Sequence, residues 1–157
     1  MSTDFFALPR QWLLAAAVIM LFAPAGWGAS AGPPGEAPIP PGQARLWIYR
    51  DYAPYQSLAT PYVRVNGAVI GVAEPGGAFY RDVPPGAYRI TVDSEGVDVN
   101  QFARVALAPG QTAYVKVESL RGWGEGNDYE RNTFYTRPMS GARARIEIAR
   151  NRSWLGG

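Results

Sequence analysis

The sequence contains no cysteine and no histidine. Without a thiol there is no disulfide, no thiolate nucleophile and no zinc site built on sulfur. Without imidazole the commonest general base near neutral pH and the commonest metal ligand are gone. Ser–His and Cys–His catalysis is therefore excluded by composition, and the chain reads as a non-enzyme with no cofactor and no metal. Lysine is nearly missing too: Lys116 is the only one, so almost all positive charge is arginine. A formal net charge of +2 is too weak a balance to call for nucleic acid. One local excess stands near the C-terminus, where Arg137, Arg143, Arg145, Arg150 and Arg152 face only Glu147. It reads as a solvated, weakly basic surface rather than a polyanion site.

Long apolar runs are lacking as well. The stretch from Trp12 to Phe22 falls short of the ~20 residues a helix needs to span a bilayer. Arg10 precedes it, Pro24 and Gly26 break it, and Ala29-Ser30-Ala31 offers the small residues that signal peptidase reads. Residues 1–31 are therefore expected to be a secretory signal cut after Ala31, leaving a periplasmic or secreted protein. Asp4 weakens the positive region, so retention as an uncleaved anchor is the alternative and the only membrane attachment expected. No cysteine follows the run, which excludes a thioether-linked lipid.

Turn formers are abundant, with 18 glycines and 14 prolines, yet 47% of the residues are hydrophobic. That apolar content argues against disorder, and many turns joining short strands satisfies both observations. Residues 32–43 hold five prolines and read as a disordered, extended linker. One domain is expected over residues 44–157, with regular structure starting near Ala44. Leu46 to Tyr49 is apolar on both faces, which suits an interior strand. Asn66-Gly67 lies between two apolar runs, the signature of a type I′ hairpin. Tyr88, Ile90 and Val92 alternate with Arg89, Thr91 and Asp93, and Ala103–Leu107 and Ala113–Val117 continue the pattern. Tyr88, Ile90, Val92, Val105, Val115 and Val117 are thus the expected core, in an antiparallel β-sandwich of about seven strands from Ala44 to Met139. A parallel sheet is not expected, because no helical period lies between the strands. Over residues 141–150 two patterns compete. Ser140 can cap a helix with Ala142, Ile146 and Ala149 on one side, while alternation of Ala142, Ala144, Ile146 and Ile148 fits a strand equally well.

From Ala44 to Val117 the chain resembles a known family. The carrying segments are Ala44-Arg45-Leu46-Trp47-Ile48-Tyr49-Arg50, Val65-Asn66-Gly67 with Gly71, Asp82-Val83-Pro84-Pro85-Gly86-Ala87-Tyr88, and Ala108-Pro109-Gly110-Gln111-Thr112-Ala113-Tyr114-Val115. They resemble a bacterial domain-of-unknown-function family of exported β-sandwich proteins, many of them lipoproteins. In outline that family is similar to PEGA and carboxypeptidase-regulatory-like domains. The resemblance implies an all-β, transthyretin-like (prealbumin-like) sandwich in the cell envelope, ending in a short C-terminal helix. It implies no reaction and no catalytic residues.

The remaining candidates for chemistry are few. Asp93, Glu95 and Asp98 follow a strand, but acid/base work needs a shielded, shifted pair, and a solvated turn is the plainer reading. Gly122, Gly124 and Gly126 lack the helix start and lysine of a phosphate cradle. Glu125, Asn127, Asp128 and Glu130 match no calcium loop. Asn151-Arg152-Ser153 fits the glycosylation pattern, which arises readily by chance. Aromatics in or near irregular segments remain: Tyr52, Tyr55, Trp123, Tyr129, Tyr135 and Trp154. They either stack on sugars and anchor partners or cover the ends of the sandwich. Trp123, Tyr129 and Trp154 are the expected binding residues, since strand alternation does not need them. The function expected is that of an envelope module binding a protein partner, through an exposed sheet edge, or alternatively a cell-wall glycan. Oligomeric state is left open.

Overall fold

The computed structural model describes residues 36–53, 56–119, 132–151 and 153–154. Residues 1–31, the expected signal, lie outside them. In chain order the elements are β1 (Ala44–Tyr49), β2 (Tyr62–Val65), β3 (Ala68–Val72), β4 (Gly77–Val83), β5 (Gly86–Val92), β6 (Ala103–Leu107), β7 (Thr112–Ser119), β8 (Phe134–Met139), α1 (Gly141–Arg150) and β9 (Ser153–Trp154). Five strands form one sheet in the order β8-β7-β1-β4-β9, and four form the other in the order β3-β2-β5-β6. The chain is thus an all-β sandwich with one short C-terminal helix.

β1 holds the centre of the five-stranded sheet, and all six of its residues are buried. Its alternation sorts them between two layers. Leu46 and Ile48 join Val63, Phe79, Ile90, Val115, Val117 and Phe134 between the sheets. Trp47 and Tyr49 face the other way, with Tyr80 and Tyr114, under Ala144 and Ile148 of α1. Each such large apolar side chain contributes about 1.5–3 kcal/mol on burial. Among the described residues the four-stranded sheet carries no helix. Its inner face supplies Val63, Val65, Ile90 and Val92, while Arg64, Arg89 and Arg104 project from the other.

The β2–β3 hairpin turns as its sequence requires, with φ of +48° at Asn66 and +87° at Gly67. Ile90, Val92, Val115 and Val117 are buried, whereas Tyr88 and Val105 are half-buried and pack against the core from its margin. The sandwich is not wholly antiparallel. β1 pairs antiparallel with β4 but parallel with β7, and β9 lies parallel to β4. Parallel neighbours need a long crossover. Between β1 and β7 that crossover is made through the second sheet (β2, β3, β5 and β6) instead of a helix.

Residues 141–150 are helical, with a buried face different from the one the sequence suggests. Ala144 and Ile148, four residues apart, are buried, while Ile146 is 55% exposed. Ser140 makes no side-chain cap; its carbonyl accepts from Ala144 N–H at 2.9 Å. The disordered linker is also corrected at its far end. Glu36 accepts hydrogen bonds from Arg45 Nη1 (2.8 Å) and Trp47 Nε1 (2.9 Å), and the Ala37 carbonyl accepts from Arg45 at 2.5 Å. The buried guanidinium of Arg45 draws that segment down because its own burial demands acceptors. Asp82 satisfies its other side at 2.7 and 2.8 Å.

Candidate functional site

Trp123 and Tyr129 lie outside the described residues, and so does Tyr55. Trp154 sits opposite Ala78 in the parallel β4–β9 pairing, so its backbone belongs to a strand and not to an irregular segment. Tyr135 is likewise a strand residue in β8, and its hydroxyl donates to Asp98 at 2.8 Å. The three acids read as a cluster are dispersed to separate partners: Asp93 to Arg64, Glu95 to Asn132, Asp98 to Tyr135. Asn151 is engaged too. Its side-chain amide donates to the carbonyls of Arg50 and Gly77, both at 3.3 Å, where a glycosylation acceptor needs that nitrogen free.

Two groupings went unread in the sequence. The first is the sole lysine. Lys116 projects from β7 towards α1 and donates to Asp51 (2.5 Å) and Glu147 (3.0 Å). Tyr49 and Arg143 also donate to Glu147, each at 2.7 Å. Burial works against the Glu147 carboxylate, but those hydrogen bonds from Arg143, Tyr49 and Lys116 bring it down to about 2. Burial likewise opposes the Lys116 charge, yet Asp51 and Glu147 hold its pKa above the usual lysine value. Burial first, and then Glu147, push the Tyr49 hydroxyl up. All three groups are locked in one protonation state near neutral pH. The cluster fastens α1 to the sheet. Beside it opens a cleft of about 570 Å³ with Asp51, Tyr52, Gln56, Lys116 and Ser119 in its wall. Among the described residues, Ser119 Oγ and Gln56 Oε1 are buried without a hydrogen-bond partner.

The second grouping is Arg50, fully buried just past β1. It donates to the carbonyls of Ser57, Ala59 and Ala73 and lies 5.0 Å from the centre of the Phe134 ring. Burial pulls its pKa down to about 10, which leaves it charged at neutral pH. Its role is to hold the segment after β1 by carbonyls that no strand satisfies.

The four sheet edges differ in how they are closed. β8 carries Arg137 and Pro138, and its Thr136 N–H is taken by the Gln101 carbonyl at 3.0 Å. β6 carries Arg104, and β9 has two residues. β3 reads Ala-Val-Ile-Gly-Val, with neither charge nor proline, and Val69 is 48% exposed. Charge and proline normally blunt natural edges, and β3 has neither; its one irregularity is a register shift against β2 that leaves Ile70 as the extra residue.

A family model described as a protein of unknown function (DUF2846) matches residues 40–127, more than half of the chain. The chain belongs to the DUF2846 family. No curated protein matches it. Among solved structures, the N-terminal domain of AlgF from P. aeruginosa is similar at 20% identity, covering 64% of this chain and 98% of that domain, with a TM-score of 0.38. A score that low carries no topology across. The family match runs from the linker's end through β7. It therefore includes Arg50, Lys116 and the open edge of this DUF2846 domain, and leaves β8, α1 and Glu147 beyond it. Among the described residues no group of three or more acids could hold a metal, and no helix is long and apolar enough to cross a membrane.

Proposed function

We propose that this is a non-catalytic module, exported to the periplasm or secreted, that binds a protein partner by adding the partner's strand to β3. The observation that carries the reading is the open β3 edge: terminal in its sheet, uncharged and half exposed. Strand addition uses such an edge directly, main-chain hydrogen bonds supplying affinity and alternate side chains specificity. Locked charges at Lys116 and Glu147, together with the missing histidine and cysteine, support binding over catalysis. The export call rests on residues 1–31. The finer fold reading, a transthyretin-like outline shared with PEGA domains, rests on the turn motifs around Gly67, Gly86 and Gly110.

Photo-crosslinking from position 69 in envelope preparations tests this. One defined protein adduct is expected, and it is lost in a Val69→Lys variant that crosslinks from a neighbouring β3 position. Retention of that adduct in the lysine variant would overturn the reading. Export has its own check: N-terminal sequencing should start at Gly32 or within a few residues.

A glycan-binding reading draws on a different observation, the cleft beside Tyr52. Tyr52 is 51% exposed at the wall of that cleft, where an aromatic ring can stack on a sugar face. Retention on peptidoglycan that disappears with Tyr52→Ala, and is untouched by Val69→Lys, is its signature.

A further inference from the structure

At the opposite edge of the same sheet two arginines stand face to face. Arg89 of β5 and Arg104 of β6 are direct register partners, and both are exposed. The N–H and C=O of Arg89 are turned towards β2, where they meet the Asn66 side-chain oxygen and backbone N–H, each at 2.9 Å. The pair is therefore of the non-hydrogen-bonded kind, in which opposed side chains come closest. Like charges in that position repel, and no carboxylate among the described residues pairs with either guanidinium. Asp93 is spent on Arg64, and Asp98, in the same hollow as Arg89, is turned to Tyr135 Oη and the Val99 N–H.

A single ring gathers the two charges. The guanidinium carbons of Arg89 and Arg104 lie 4.4 and 4.5 Å from the centre of Phe102. Next to that ring the hollow holds Val97 and Val99, exposed to 87% and 76%. The same register has a consequence for the main chain. In a non-hydrogen-bonded pair both residues point their N–H and C=O away from each other. Those of Arg104, and of Ala106 two residues on, are directed at the outer side of β6, where no strand pairs among the described residues.

We infer that the β6 edge and the Arg89–Phe102–Arg104 platform together bind an extended acidic peptide segment of a partner protein. Its backbone pairs with Arg104 and Ala106, and its Asp or Glu side chain bridges the two guanidiniums. Charge complementarity selects the acid: one carboxylate presents two oxygens to two cations that otherwise repel across the strands. The open main-chain groups select a peptide over a phosphate or a lipid headgroup, neither of which has a strand to add. The site does not depend on β3, which lies at the other edge of the sheet with β2 and β5 between.

Direct titration of the full chain tests it. The probes are the peptide Ac-Val-Glu-Val-Glu-Val-NH2, its Gln analogue, inorganic phosphate, and vesicles of phosphatidylglycerol. The Glu peptide should bind about tenfold tighter than the Gln peptide at low salt, an advantage that fades as salt rises. An Arg89→Gln/Arg104→Gln double variant should erase that advantage. Ala106→Pro, a substitution an edge strand tolerates, should abolish binding of both peptides while the far-ultraviolet spectrum stays unchanged. Equal binding of the two peptides would overturn the inference. So would unchanged binding to the Ala106→Pro variant, or capture by phosphate or vesicles that depends on both arginines while the peptide stays unbound. Crosslinking at β3 is read separately, so failure here leaves that reading standing.

Discussion

The five-stranded sheet is covered on both faces, by the core on one and by α1 on the other, and it buries charge: Arg45, Arg50 and Lys116 all lie within or beside it. Among the described residues the four-stranded sheet is covered on one face, and on the other Arg64 pairs with Asp93 while the exposed Arg89 and Arg104 lie over the Phe102 ring. The covered sheet therefore fixes the position of the chain, since its buried cations tie distant segments together: Arg45 holds Glu36 and Asp82, Lys116 holds Asp51 and Glu147, and the two Nη groups of Arg50 hold three carbonyls. Among the described residues the open sheet has no strand beyond β3 or β6 and no element on its outer face. Stability concentrates in one layer, and binding surface in the other.

Breaking that contrast should have its largest effect at Arg50. Arg50→Ala strands the carbonyls of Ser57, Ala59 and Ala73, and should lower stability by about 3 kcal/mol or more, read from urea unfolding. Acid comes next. The Glu147 carboxyl is lowered in the folded chain from 4.5 to about 2. Its contribution is therefore complete above pH 4.5 and is lost as the pH falls from there towards 2. Helicity of α1 should drop across that window with a loss of about 1–2 kcal/mol, allowing for solvent screening, and Glu147→Gln should remove the pH dependence.

In the open sheet the effects should shrink. A Cβ on Gly71 would sit 2.7 Å from Phe79 Cζ, so Gly71→Ala must displace the end of that ring, at about 1 kcal/mol. Arg64→Ala removes a solvent-exposed pair with Asp93, and the urea midpoint should not move. A large shift there would mean that the outer face contributes to stability after all, which would dissolve the contrast between the sheets.

How far the fold could be read follows from the range of each signal. Asn66-Gly67 demands positive φ at adjacent residues, so its turn is written locally. The double-sided apolar run of β1 places it inside a sheet for the same reason. Parallel pairing of β1 with β7 has no such trace, because the pattern of each strand is silent about which distant strand it meets. In α1 the small apolar residues satisfy several faces at once, and contact with Tyr49 and Tyr114 selects Ala144 and Ile148. Arg50 looks like any loop arginine, since nothing adjacent announces the three carbonyls it serves. An edge for partner binding was anticipated, but which strand would be the edge depends on strand order. The aromatic site expected at Trp123 and Tyr129 falls outside the described residues, and Trp154, expected in or near an irregular segment, lies in a strand of two residues, too short to show any period.

The parallel pairing also bears on how the domain is made. Arg45 meets Asp82 in one neighbour and Thr112 in the other. During synthesis the first strand emerges long before its second partner exists, and closing so wide a loop costs entropy before any contact rewards it. A chain cut off before Thr112 has a central strand with one side bare. Folding is therefore expected to follow completion of most of the polypeptide, and a nascent chain stalled at β6 should be protease-sensitive where one extended past Ser119 resists.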